Sequence, residues 1–215
     1  MLIIGAKGFA KEVLEVITQL KRMENISFFD NINLEIPNLL YNKFPVLKSM
    51  DEATKYFDNT SKEFTLGIGL PLNRHKLYLI MESLGGELVS TISPFARVGH
   101  YNNVIEAGVN LMTGSILTND ILINKGCLIN LNCTIGHDCQ LGKFVELSPG
   151  VHISGNCKIG DFSYIGTNAT ILPKINIGKN VTVGAGSVVT KDVEDNSVIV
   201  GVPGRVIKNN PPIIF

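Results

Sequence analysis

The chain has 215 residues, enough for one large domain or two small ones. Lys+Arg and Asp+Glu both total 19, so the formal net charge is zero, without the basic excess of an electrostatic nucleic-acid binder. No apolar run approaches the ~18 residues of a membrane span. The first residues lack a charged segment followed by an apolar one, so no secretion leader and a cytoplasmic location are expected. Only 18% of residues are charged, Gly numbers 21 and Trp is absent. Mean hydropathy is +0.22.

The elements of the first part alternate between strand and helix. Leu2-Ile3-Ile4 reads as a short strand and Gly5-Ala6-Lys7-Gly8 as a turn. Val13, Leu14, Val16, Ile17 and Leu20 then recur at helical spacing. Ile26 to Phe29 reads as a second strand ending at Asp30, and Phe64 to Ile68 as a third ending at Gly69. Pro71 opens a helix that runs to Leu84, where Gly85-Gly86 forms a C-cap. A β-α-β-α-β order predicts a small parallel sheet with helices on its faces.

The grammar then changes. Residues 1–90 hold 21 of the 38 charged residues and 6 of the 21 glycines, so the remainder is charge-poor and glycine-rich. That shift places the boundary between a domain of residues 1–88 and one of residues 89–215. Every sixth residue from Ile105 to Val189 is Ile, Leu or Val, fifteen positions without an insertion. Ile92 and Val98 extend the series backward with one extra residue before Ile105. A fixed period of this kind is the mark of a stacked repeat. With each aliphatic position called i, position i+4 is always small or aliphatic, from Val109 to Val193. Residues i+4 and the next i lie two apart and face the same way in a strand. The residues between must turn, and Gly or Asn at i+1 in eight hexads is expected to supply the positive φ of a corner. Three strands and three corners make an 18-residue coil, and coils stack as parallel strands ~4.8 Å apart.

All four cysteines (Cys127, Cys133, Cys139, Cys157) occupy i+4, which reads as packing in a narrow core. Four histidines remain as chemistry. His75 lies on the predicted helix, where solvation is expected, His100 in an irregular first coil and His152 on a flat face. His137 stands on a corner, is followed by Asp138, and has Gly155 eighteen residues later, directly above it. A base oriented by a carboxylate and set beside an uncovered amide is the minimum equipment for acyl transfer.

The hexads resemble the left-handed parallel β-helix of bacterial acyltransferases. The general preference for right-handed crossovers would predict the other hand, so the left hand rests on the resemblance. The opening Ile3-Ile4-Gly5-Ala6-Lys7-Gly8-Phe9, the hexads, the segment Asn130 to Asp138 and the ending Gly201-Val202-Pro203-Gly204 resemble the PglD/NeuD-type sugar acetyltransferases over essentially the whole chain. The resemblance implies an acetyl-CoA-dependent N-acetyltransferase acting on a UDP- or dTDP-linked amino-deoxy sugar. It implies a homotrimer, active sites at subunit interfaces, and a place in lipopolysaccharide or other surface glycan biosynthesis; the residues themselves show no converging ligand set, so no metal is expected. O-acetylation of sialic acid or a related sugar is the alternative. It implies His137 as general base, Asp138 as its partner and Asn130 near the acetyl group. Gly5, Lys7, Gly8, Phe9, Asp30 and Gly69 are expected at the nucleotide-sugar site, with Arg74 as a further charge. Gly155, Thr167, Pro173, Gly184 and Gly186 are expected along acetyl-CoA. Two positions depart from the family pattern: Phe9 and Glu146 stand where many members have His.

Overall fold

The computed structural model describes residues 1–33 and 35–214. The chain opens with β1 (Leu2–Ile4), α1 (Gly8–Gln19), β2 (Ser27–Phe29), β3 (Leu39–Leu40), β4 (Phe44–Leu47), α2 (Met50–Asn59), β5 (Glu63–Leu66), α3 (Pro71–Ser83) and β6 (Glu87–Leu88). They form a six-stranded sheet in the order β3-β4-β2-β1-β5-β6. The expected strands β1, β2 and β5 pair in parallel at its centre. Two cores flank the sheet. Ile3, Val13, Ile17 and Phe28 lie on one side, and Leu2, Ile4, Phe64 and Met81 on the other. Helix α2 and strands β3, β4 and β6 were not anticipated. Ser49 accepts the Glu52 amide while the Glu52 carboxylate reaches back, a capping box that is legible in the sequence.

From Thr91 onward the chain coils. Two-residue strands alternate with four-residue corners and stack into three parallel faces. The first face carries Ile92, Leu111, Ile129, Leu147, Ile165 and Val183 in register. The second carries Val98, Leu117, Ile135, Ile153, Ile171 and Val189. The third carries Ile105, Ile123, Leu141, Ile159 and Ile177. The extra residue before Ile105 is absorbed in the first coil, where Val98 still pairs with Leu117. Positions i and i+4 together form one continuous core down the prism. Each buried aliphatic side chain there contributes about 1.5–3 kcal/mol. The last coil is closed by Ser197–Val200 and an antiparallel strand, Arg205–Asn209.

The corners differ from expectation. The positive φ falls at i+3, as at Gly114, Asp120, Asn132, Asp138 and Asn156, and not at i+1. Glycine at i+1 answers a different need, which is close approach between coils. A Cβ on Gly136 would lie 2.7 Å from the Gly155 nitrogen, and one on Gly160 2.5 Å from the Gly178 carbonyl carbon.

The cysteines are buried and free. Each thiol donates to a backbone carbonyl of the next coil, as Cys133 does to Ser148 at 3.2 Å and Cys157 to Leu172 at 3.2 Å. Burial pushes the Cys127 thiol up to about 12 and the Cys133 thiol up to about 11, so both stay protonated as packing groups. Among the described residues no helix is long and apolar enough to cross a membrane.

The α/β part docks on the first face. Arg74 of α3 donates to Gly126 O at 2.9 Å and to the Asn110 side chain at 3.0 Å. Val16 of α1 packs on Met112 and Leu128. Phe144 and Phe162, at the corner between the third and first faces, join the α3 core. The corner between the second and third faces is therefore the vertex of the prism farthest from the α/β part.

Candidate active site

That far vertex carries His137. The left-handed backbone of Asp138 (φ 59°) is one that Asp tolerates. It folds the carboxylate back onto its neighbour, and His137 Nδ1 lies 2.7 Å from Asp138 Oδ2. The pairing leaves Nδ1–H as donor and Nε2 as the free basic nitrogen. Nε2 faces Gly155, where an added Cβ would lie only 2.6 Å away. The Gly155 carbonyl accepts the Lys174 amide, while its own N–H has no acceptor among the described residues. The single chain leaves the His137 and Asp138 side chains 63% and 55% exposed. Pro173 continues the same column one coil further, as sequence spacing requires.

Asn130, Thr167, Gly184 and Gly186 occupy a different vertex, between the first and second faces. Gly186 donates to Thr167 O there at 2.8 Å. The Asn130 side chain accepts the Leu131 amide at 2.7 Å. The structure thus divides the residues expected around acetyl-CoA between two vertices of one chain, with the second face between them.

The carboxyl ends of β1, β2 and β5 enclose a crevice of about 310 Å³, lined by Gly5, Asp30, Asn31, Ile32, Asn33, Gly69, Asn73 and Lys76 among others. This is the position where ligands of parallel sheets bind. Gly5 has φ +104°, and a Cβ there would meet Gly67 O at 2.9 Å. Asp30 is buried and turns the following loop, accepting the Ile32 and Asn33 amides at 3.2 and 2.9 Å and the Asn33 side chain at 3.0 Å. Its carboxylate therefore shapes the Asn31–Asn33 rim. That rim was missed in the sequence, although Asp-x-x-Asn after a strand is an Asx-turn signal.

Three further residues expected at the crevice are not among those that line it. Lys7 pairs with Glu35 at 3.0 Å on the surface. Gly8 is the first residue of α1, whose N-terminus has no side-chain cap. Phe9 packs against the α1 core and the β-helix cluster. Arg74 is a clear correction. It is fully buried, and donates to Ile68 O at 2.9 Å, Leu66 O at 3.4 Å and Gly126 O at 2.9 Å. Burial lowers its pKa to about 10, which leaves it charged at neutral pH and absorbed in structural bonds. His75 is likewise not simply solvated. Its ring lies 4.9 Å from Phe144 and 5.2 Å from Phe162, and burial lowers its pKa.

A second cavity, about 1160 Å³, lies between α3, the first face and the C-terminal segment Asn210–Ile214. Asn73 and Lys76 line both cavities. Among the described residues no group of three or more His, Cys, Asp or Glu is arranged to hold a metal ion.

Comparisons with known proteins agree with this architecture. Residues 1–80 match the family model of the PglD N-terminal domain, and residues 132–171 and 156–191 match that of the bacterial transferase hexapeptide (six repeats). A variant of perosamine N-acetyltransferase from Caulobacter crescentus, solved with CoA and GDP-perosamine, is 27% identical. Its alignment covers 97% of this chain and 96% of that one, with a TM-score of 0.89. The acetyltransferase domain of PglB from Neisseria gonorrhoeae, solved with acetyl coenzyme A, is 30% identical over 96% of this chain and 98% of that one, TM-score 0.86. WeeI from Acinetobacter baumannii is 32% identical over 96% and 98%, TM-score 0.87. A serine acetyltransferase from Bacillus pumilus is 59% identical over 32 residues, and the chain spans only 15% of that relative's length. The β-helix is left-handed, as in these relatives. With its α/β part, its stacked hexads and full-length identity of 30% and above to two of these proteins, the chain belongs to the PglD-type sugar acetyltransferases of the hexapeptide-repeat transferases.

Proposed function

We propose that the protein transfers the acetyl group of acetyl-CoA to the amino group of a nucleotide-linked amino-deoxy sugar. The observation that carries this reading is the His137–Asp138 pair facing an open Gly155 amide on the hexapeptide prism, in a chain that also has a strand-end crevice. Relatives that align along the whole chain were crystallised with CoA and GDP-perosamine or with acetyl coenzyme A. In this reading residues 1–88 hold the nucleotide and residues 89–215 carry the transfer.

The residues assign the roles. His137 Nε2 accepts a proton from the attacking amine, which must be neutral to use its lone pair. Asp138 holds Nδ1–H and stabilises the imidazolium that results. The Gly155 N–H donates to the acyl oxygen as negative charge develops on it. The C–N bond forms, the C–S bond breaks, and the proton held on His137 passes to the departing sulfur. Acetyl-CoA supplies the activated thioester. Gly155 and Pro173 flank its reacting end, and Asn130, Thr167, Gly184 and Gly186 of another copy line its arm.

The division of these residues between two vertices of one chain supports that last assignment. In one chain His137 sits at the vertex opposite the α/β part, so its base cannot reach a sugar anchored in its own crevice. That separation favours a site shared between copies, and with the family resemblance we read the active protein as a homotrimer in which one copy's His137 vertex meets the neighbour's Asn130 vertex. A cytoplasmic enzyme supplying acetylated sugars for lipopolysaccharide or another surface glycan fits such a substrate. The test is release of CoA thiol from acetyl-CoA with a panel of UDP-, dTDP- and GDP-linked amino sugars, with free sialic acid alongside. Turnover of a nucleotide-linked amino sugar is expected. Thiol release with sialic acid alone would replace this reading by O-acetylation, and no release with any acceptor would overturn it.

A further inference from the structure

The segment Gly67–Leu70 joins β5 to α3 and borders both cavities. Ile68 and Gly69 line the smaller one, and Leu70 and Pro71 the larger. Its backbone is held in an unusual shape. Leu70 has φ +67° and ψ 115°, a conformation that a branched side chain adopts only under restraint. The Leu70 side chain is 58% exposed, so packing of that side chain does not impose the shape.

Two buried charges do. Arg74, one turn into α3, donates to Ile68 O and Leu66 O. Glu146, on the first face of the β-helix and 7% exposed, accepts the Leu70 N–H at 2.7 Å. Gly69 lies so close that a Cβ there would be 3.3 Å from Glu146 Oε1. A cation thus takes the carbonyls of Leu66 and Ile68 and an anion takes the Leu70 amide, one from the α/β part and one from the prism. The Glu146 carboxyl is raised by burial and pulled back by the Arg74 charge and the Leu70 amide. Within one chain it lies away from the His137–Asp138 pair, which sits at the opposite vertex.

We propose that Glu146 is a positioning residue for the acceptor sugar nucleotide: it clamps the strained Gly69–Leu70 turn so that the lip of the crevice has its binding shape. This deepens, and rests on, the nucleotide-sugar reading above. Its signature is selective, because within the chain the clamp touches the lip of the acceptor crevice and neither His137 nor the Asn130 vertex. Glu146→Ala leaves the Leu70 amide without its acceptor and releases the turn. Glu146→Gln keeps an amide oxygen on the same stem and retains the bond.

The test compares steady-state kinetics of wild type, Glu146→Ala and Glu146→Gln, using GDP-perosamine and UDP- and dTDP-linked 4-amino sugars as acceptors. Hydrogen exchange of peptides covering residues 66–73 is followed in parallel. For Glu146→Ala, KM for the acceptor is expected to rise at least tenfold, with KM for acetyl-CoA and kcat within about twofold. Exchange in residues 66–73 quickens in the same variant. Glu146→Gln is expected to stay within about threefold of wild type in every constant. Faster exchange in Glu146→Ala with an unchanged acceptor KM would reduce Glu146 to a structural strut and overturn the proposal. So would unaltered exchange, equal losses in both KM values, or a Gln variant as impaired as Ala. If Glu146→Ala fails to fold, a Gln variant with an acceptor KM within threefold and unaltered exchange supports the proposal, and a raised acceptor KM in it overturns the proposal. A wild-type protein that acetylates none of the panel overturns the functional reading, and this proposal falls with it.

Discussion

Replacing Gly155 by alanine probes the active-site geometry with a single methyl group. Gly155 has no positive φ, so its backbone accepts an L side chain without conformational strain. The added Cβ would lie 2.6 Å from His137 Nε2, 2.7 Å from Cε1 and 3.1 Å from Cδ2. Ordinary contact begins at 3.4 Å, so the imidazole must withdraw by about 0.8 Å. The exposed ring yields by swinging toward solvent, which disturbs its 2.7 Å bond to Asp138 Oδ2. A displacement of about 1 Å at a reacting group costs on the order of 100-fold in rate, and the methyl also crowds the amide that is to meet the acyl oxygen. Thiol release under saturating acceptor and acetyl-CoA is therefore expected to fall about 100-fold, or about 2.7 kcal/mol of barrier. Because His137 is 63% exposed in the chain, the melting temperature should move by no more than a few degrees. An active Gly155→Ala enzyme, with kcat within threefold of wild type, would refute the placement of the base against this glycine.

Other outcomes follow from the same geometry. Co-expressed His137→Ala and Asp30→Ala chains, each inactive alone, should regain about a quarter of wild-type activity, because random mixing unites an intact crevice and an intact neighbouring base in one site in four. No recovery would mean that one chain completes its own site. Arg74→Ala leaves several buried carbonyls and Asn110 without their donor and should lower unfolding free energy in urea by about 3–5 kcal/mol; a loss below 1 kcal/mol would contradict the clamp. His75 has a folded-state pKa below its unfolded value, so the unfolded chain takes up the proton first as pH falls. Stability should drop as pH goes from 7 to 5, and His75→Phe should remove part of that slope, whereas an unchanged slope would show that the aromatic contacts do not oppose protonation.

Much of the β-helix was legible because its restraint is local and periodic. An aliphatic residue at every i and a small one at every i+4 can be read without knowing the neighbours, and so can the 18-residue stacking that sets Gly155 over His137. The origin of the corner twist was less legible. Gly and Asn at i+1 suggested positive φ there, yet the left-handed residue is i+3, where Asp138, Phe144 and Lys174 hide the pattern behind mixed side chains. The glycines at i+1 answer to the coil above, and contacts between coils have no local signature. The same holds for Arg74 and Glu146. Each looked like a surface or site residue until α3 docked on the first face and buried both between the two parts. Asp30 was located correctly at a strand end, but its bonds into the Asn31–Asn33 turn arise from the loop itself.

The account stands most directly on His137. In thiol release with the acceptor that wild type uses fastest, His137→Ala should lower kcat at least 100-fold, the scale of a general base, while circular dichroism and melting temperature remain those of wild type. A folded His137→Ala enzyme that keeps near-normal turnover would contradict it.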